Sequence, residues 1–172
     1  MTPLPLLGFA GFSGVGKTTL LSAVLPLLGA QGVRVGMIKH AHHDFDIDQP
    51  GKDSYVLRKA GASQMLIASS RRWALMVEND DAKHDPQLDT LLGRLDQSRL
   101  DLILVEGFKY AAIPKIEVHR AALGHPLLCS ADRNIIAIVC DAATQVGSAL
   151  TRLDIDCPEQ VAAFIVKHVR RN

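Results

Sequence analysis

An excess of charge of one sign is missing: 19 Lys and Arg stand against 18 Asp and Glu in 172 residues, for a formal net charge of +1 with seven His neutral. Nucleic-acid binders concentrate basic residues into a patch, so that class of partner is not expected. Long hydrophobic runs are missing as well. The longest early run, Leu4 to Ala10, has no basic segment ahead of it and falls far short of the ~20 residues that a membrane span needs. Export and membrane insertion are therefore not expected, and a cytoplasmic location is. Cysteine is scarce, and Cys129, Cys140 and Cys157 lie far apart with no CxxC pair, a pattern of reduced packing thiols rather than ligands. No repeat, low-complexity tract or linker breaks the chain, whose length suits one core. A single domain over residues 1–172 is the expectation.

What is present is an alternation of strand and helix signals. Leu4 to Ala10 reads as a buried strand ending at a glycine-rich turn, and Lys17 to Leu28 as a helix with Leu20, Leu21, Val24, Leu25, Leu27 and Leu28 on a broad apolar face. Pro26 removes the amide that would bond to Ser22, predicting a kink, and Gly29 to Gly32 supplies the stop. Val33 to Lys39 reads as a second strand. Asp53 can cap a short helix ending near Gly61, and Gln64 to Ser69 with Trp73 to Val77 forms two strands around a tight Arg71-Arg72 turn. Leu88, Leu91, Leu92 and Leu95 recur at helical spacing. Leu102 to Val105, Lys115 to His119 and Ile135 to Cys140 are further strands, and Glu159 to Val169 a closing amphipathic helix. This order predicts a three-layer α/β fold with a mainly parallel central sheet and helices on both faces. Its binding crevice would lie beyond the carboxyl ends of the strands.

Gly11-Phe12-Ser13-Gly14-Val15-Gly16-Lys17-Thr18 fits G-x-x-x-x-G-K-[ST] at every fixed position, between strand and helix. Glycines let backbone amides turn toward phosphate oxygens, and the following helix adds its positive end. Lys17 then serves the β and γ phosphates, and Thr18 a magnesium ion. A Rossmann reading fails because Thr19 replaces the third glycine and no acidic residue closes the second strand. P-loop sites add an acidic residue at the end of a neighbouring apolar strand, and Glu106, followed by Gly107, answers that description. The competing reading of Glu106 is an ordinary solvated strand end.

Guanine offers N1–H and an N2 amine side by side to one carboxylate, whereas adenine does not. The N-K-x-D pattern is absent, but Asp141 directly follows the last buried run and is the candidate base reader. His40, His42 and His43, then Asp44, Asp46 and Asp48, crowd ligand-type side chains into nine residues. An EF-hand is excluded because Gln49 and Tyr55 stand where glycine and a bidentate glutamate are required. A magnesium-linked switch loop and a plain solvated loop remain open. Asp53 is a candidate for magnesium or for capping its helix.

At this point the chain resembles the molybdopterin-guanine dinucleotide biosynthesis adapter proteins, the MobB family. The resemblance rests on Ser13-Gly14-Val15-Gly16-Lys17-Thr18-Thr19, Ile38-Lys39-His40-Ala41-His42-His43-Asp44, Pro50-Gly51-Lys52-Asp53-Ser54 with Arg58-Lys59-Ala60-Gly61-Ala62, and Leu104-Val105-Glu106-Gly107-Phe108-Lys109. It implies a GTP-binding homodimer that assists the guanylyltransferase attaching GMP to molybdopterin, with molybdopterin itself a possible ligand. It further implies phosphate and magnesium contacts at Gly14, Gly16, Lys17, Thr18 and Thr19, and the second acidic role at Glu106. The stretch from His119 to Arg133 matches nothing assignable.

Hydrolysis is expected to be slow: no water-positioning Gln follows Glu106-Gly107, and no arginine finger can be nominated from sequence. Two other classes compete. A small-molecule kinase would use the His40 to Asp53 loop for its acceptor, with Asp44 or Asp53 as base, and a metal-delivery GTPase would use His40, His42 and His43 as ligands. For partner contacts, Trp73 to Val77 and Ile116 to Val118 are candidates for a sheet edge closed by a second copy, or for core.

Overall fold

Continuous apolar runs become the interior of one parallel sheet. The structure, a computed structural model, describes residues 4–41, 45–79, 85–147 and 149–170. In chain order the elements are β1 (Leu6–Ala10), α1 (Lys17–Ala30), β2 (Val35–Lys39), α2 (Asp53–Lys59), β3 (Gln64–Ala68), β4 (Trp73–Val77), α3 (Leu88–Leu92), β5 (Leu102–Glu106), β6 (Lys115–His119), β7 (Ile135–Cys140), β8 (Thr151–Asp154) and α4 (Pro158–Val169). Six strands pair in the order β2-β5-β1-β6-β7-β8, every neighbouring pair parallel. Residues 1–40 and 88–172 form one compact unit around this sheet, and residues 41–87 form a second.

Side-chain alternation assigns the sheet's two faces. Leu7, Phe9, Leu102, Leu104, Ile116, Val118, Ala137 and Val139 turn to one face, where they meet Leu20, Leu21, Val24 and Leu28 of α1 and Val161, Ala162, Ile165 and Val166 of α4. Ile38, Ile103 and Val105 turn to the other, covered by Leu88, Leu91 and Leu92 of α3 and by Leu95 and Leu100. Helix α1 runs on past Pro26 to Ala30 and closes with Val33 N donating to Leu28 O at 3.1 Å. That closure uses Val33, so β2 begins only at Val35.

Strand β6 carries a polar stripe on the face opposite Ile116 and Val118. Lys115, Glu117 and His119 are buried there. A 3-10 turn, Leu128–Ser130, meets this stripe at Glu117. Lys115 Nζ donates to the carbonyls of Lys109 (3.1 Å) and Ala111 (2.5 Å) and pairs with Asp132 (2.6 Å). Glu117 accepts from the amides of Leu128 (2.7 Å) and Cys129 (2.8 Å), and His119 bonds Thr144 Oγ1 and His125 O, each at 3.0 Å. These buried partners hold the irregular segment between β6 and β7 against the sheet, in place of a crossover helix. Ile116 and Val118 therefore belong to an interior strand flanked by β1 and β7, which removes them as a free sheet edge.

The smaller unit is α2 with the antiparallel β3–β4 hairpin, its turn fastened by Ser69 N to Arg72 O at 2.8 Å. Arg58, buried on α2, pairs with Asp46 (2.5 Å), Asp48 (2.6 Å) and Glu78 (2.7 Å). Its guanidinium is thereby held charged well above the ordinary arginine value, with the Asp48 bond the largest cause.

Candidate functional site

The loop between β1 and α1 wraps the Lys17 ammonium, which donates to Gly11 O at 3.0 Å and Phe12 O at 2.9 Å. Gly16 opens the helix at φ 96°, a backbone conformation that suits glycine, and its carbonyl accepts Leu20 N at 2.9 Å. Burial holds Lys17 below the ordinary lysine value; Glu106 opposes that shift, and nearby Lys39 and Lys109 reinforce it. A half-buried ammonium held by two loop carbonyls, with two more ammonium groups near it, is a donor set suited to a polyanion.

At the mouth of the sheet, Thr18 Oγ1 donates to Glu106 Oε1 at 3.3 Å, and Lys39 Nζ lies 3.3 Å from both Thr18 Oγ1 and Glu106 Oε2. Register explains the gathering, since Lys39 of β2 and Phe9 of β1 each pair with Glu106 of β5. Glu106 is buried at 7% exposure and needs a cation beside it. Lys39 supplies one, and the hydroxyl and carboxylate oxygens are the hard donors magnesium would accept. Gly107, at φ 98°, lets the chain pass beside His40, whose amide donates to Glu106 O at 2.9 Å. His40 stacks on Phe108 at 5.1 Å.

Arg120, just beyond β6, closes the loop from the other side. Its Nε donates to Val15 O at 3.3 Å, across 105 residues of chain. Phe12 stacks on His125 at 4.4 Å and carries Lys109 Nζ 5.3 Å above its ring. Sequence reasoning passes over Arg120 and gives Lys39 no role, because neither has a spacing signal. Only the position of Lys39 at a strand end could have marked it.

Of the other expected site residues, Asp141 does directly follow β7, but its carboxylate is committed to its own chain. Oδ2 accepts Ala121 N at 3.0 Å, and Oδ1 accepts Thr144 N at 3.1 Å and Thr144 Oγ1 at 2.7 Å. The Thr144 bonds, led by the hydroxyl, hold its pKa below the usual carboxylate range. Asp53 is the first residue of α2, one place inside the cap position held by Lys52, which makes no side-chain cap bond. It therefore does not cap the helix, although an acid in the first turn suits the positive helix end. Asp46 and Asp48 are the partners of Arg58, so that half of the His and Asp loop is an internal ion-pair cluster. His42, His43 and Asp44 lie outside the described residues. Cys129 and Cys140 are free thiols, pushed above the ordinary value chiefly by burial, Cys129 to about 11, as suits packing residues.

Residues 6–141 match the family model MobB, described as molybdopterin guanine dinucleotide synthesis protein B. The chain belongs to the MobB family. Over 171 residues it is 50% identical to the molybdopterin-guanine dinucleotide biosynthesis adapter protein of Escherichia coli (strain K12), covering 99% of this chain and 96% of that one. The protein of the same name from Haemophilus influenzae is 42% identical, with 94% and 88% covered. A crystal structure of molybdopterin-guanine biosynthesis protein B aligns with a TM-score of 0.74 at 29% identity over 96% of this chain and 99% of that one. Bacillus subtilis MobB, at 23% identity and a TM-score of 0.74 over 96% and 98%, shares the fold. The α/β P-loop-type architecture and the family resemblance read from the sequence both hold.

Proposed function

We propose that the chain is a GTP-binding adapter of molybdenum cofactor biosynthesis, which assists the guanylyltransferase that joins GMP to molybdopterin. The carrying observation is the set of cations at the phosphate loop, Lys17, Lys39 and Lys109, with one buried carboxylate, Glu106, beside Lys17 and Lys39. Such a balance suits a triphosphate with its magnesium. The loop from Gly11 to Thr19 takes the phosphates, including the Ser13 and Val15 positions, and Thr18 with Glu106 takes the metal. When bound, magnesium would neutralise charge on the phosphates. The names of the relatives supply the pathway. Slow hydrolysis, a cytoplasmic setting and one functional domain with an inserted unit complete the reading; no helix among the described residues is long and apolar enough to cross a membrane.

A homodimer formed through the hairpin is part of the same proposal. Leu66, Trp73, Leu75 and Val77 stand exposed on β3 and β4, Trp73 at 65%. A two-stranded sheet is marginal alone, and a second copy would cover that surface.

The adapter reading is tested by adding the chain to a purified guanylyltransferase with GTP and molybdopterin and following dinucleotide formation. Wild-type protein is expected to raise the yield and Lys17→Ala to lose most of that gain. An unchanged yield with wild-type protein contradicts the adapter role.

A further inference from the structure

A cleft of about 140 Å³ opens beside the start of α1, on the β6–β7–β8 side of the phosphate loop. Gly16 and Thr19 form its lip, so whatever occupies it is continuous with a polyphosphate held by the loop. Leu20, Ala23, Ile155 and Pro158 give it apolar walls, and Arg120 and Asp156 its charges. A larger hollow of about 270 Å³ along β7 and β8 shares no lining residue with the loop.

The two charged residues differ in commitment. Arg120 is tethered through Nε to Val15 O, which restrains a flat cation at the cleft. Asp156 lies in the turn between β8 and α4, where its amide donates to Asp154 Oδ1 at 2.9 Å. Its own exposed carboxylate accepts no hydrogen bond and forms no ion pair among the described residues. Asp141, by contrast, already accepts three. A carboxylate with about four lone-pair sites that has filled three cannot receive two adjacent donors without breaking bonds of its own.

We infer that this cleft is the nucleobase subsite, with the Asp156 carboxylate accepting guanine N1–H and N2 amine hydrogens and the Arg120 guanidinium lying against the base. Apolar walls suit the faces of a purine, and one uncommitted carboxylate at the rim discriminates guanine, which presents two adjacent donors, from adenine, which does not. Asp141 is then a positioning residue that pins the turns at Ala121 and Thr144. The assignment rests on the GTP-binding reading above.

The test is calorimetry of GTP, XTP and ATP with magnesium on wild type, Asp156→Asn and Asp141→Asn. Xanthine carries a carbonyl where guanine has its amine, so an asparagine amide can complement it. Wild type is expected to prefer GTP, and Asp156→Asn to weaken GTP roughly 10- to 100-fold, the worth of a charged hydrogen-bond pair, while strengthening XTP. Asp141→Asn should keep the wild-type order of preference. GTP bound by wild type with an unchanged GTP to XTP ratio in Asp156→Asn overturns the subsite and leaves the GTP reading standing. A shift of preference in Asp141→Asn instead also overturns it, and wild type that binds none of the three overturns both readings.

Discussion

Thr18 Oγ1 donates to Glu106 Oε1 across 3.3 Å, joining the first turn of α1 to the end of β5. This bond puts a hydroxyl and a carboxylate from opposite halves of the larger unit at one point, with Lys39 as their common cation. Glu106→Gln keeps the shape and removes the charge. Magnesium should then add little to GTP affinity: the increment falls by roughly tenfold or more, while magnesium-free binding is nearly unchanged. Titration with and without EDTA reads both, and a full magnesium increment in Glu106→Gln removes Glu106 from the metal site.

Gly107 is needed for a close approach. A Cβ there would stand 2.8 Å from His40 Cβ and 3.0 Å from its carbonyl, at a φ of 98°. Gly107→Ala should therefore cost about 1–3 kcal/mol in denaturant unfolding. It should weaken the site in step, because the strain falls on the strand end that carries Glu106. Wild-type stability in this variant would show that the two strand ends are free to separate.

Acid reads a different pair. Asp101 accepts from Arg34 Nε at 2.9 Å and Nη2 at 2.8 Å, and these bonds hold its pKa down to about 2 from 3.8. The native value lies below the unfolded one, so the unfolded chain binds more protons between those limits, and stability falls as pH drops through them. The contribution is complete above about pH 4 and lost near pH 2. Asp101→Asn should flatten the stability profile across that window and leave the profile above it parallel to wild type. An unaltered slope between pH 4 and 2 contradicts the assignment.

Trp73 and Leu66 should report the association state. Replacing Trp73 with Asp places a charge in the face assigned to a second copy, and light scattering should then give a monomer mass where wild type gives a dimer. Wild-type monomers, or dimers in Trp73→Asp, would move the interface elsewhere.

The phosphate loop was legible because its chemistry is local: eight consecutive residues fix glycines, lysine and threonine in one turn. Glu106 was legible because an acid after four apolar residues marks a strand end. Arg120 was not, since it reaches Val15 only through the placement of β6 beside β1. The stretch after His119 resisted reading because its anchors are Lys115, Glu117 and His119, charged or polar residues of an alternating strand that normally signal a solvated face. Strand β8 was hidden because Thr-Arg-Leu-Asp buries only Leu153. Without β8 the last strand legible in the sequence is β7, which points to Asp141, whereas Asp156, one strand further, carries the uncommitted carboxylate. Pairing of Asp46 and Asp48 with Arg58 needs the α2 fold to bring them together, and no spacing rule announces it.

The central claim, that backbone donors, the Lys17 cation and the Thr18 oxygen hold a purine triphosphate, is most directly tested by calorimetric titration of GTP and magnesium into wild-type protein and Lys17→Ala. One GTP per chain should bind wild type, and removal of the ammonium that now rests on Gly11 O and Phe12 O should weaken it roughly 10- to 100-fold. Equal affinity in both proteins, or no binding to wild type, would contradict it.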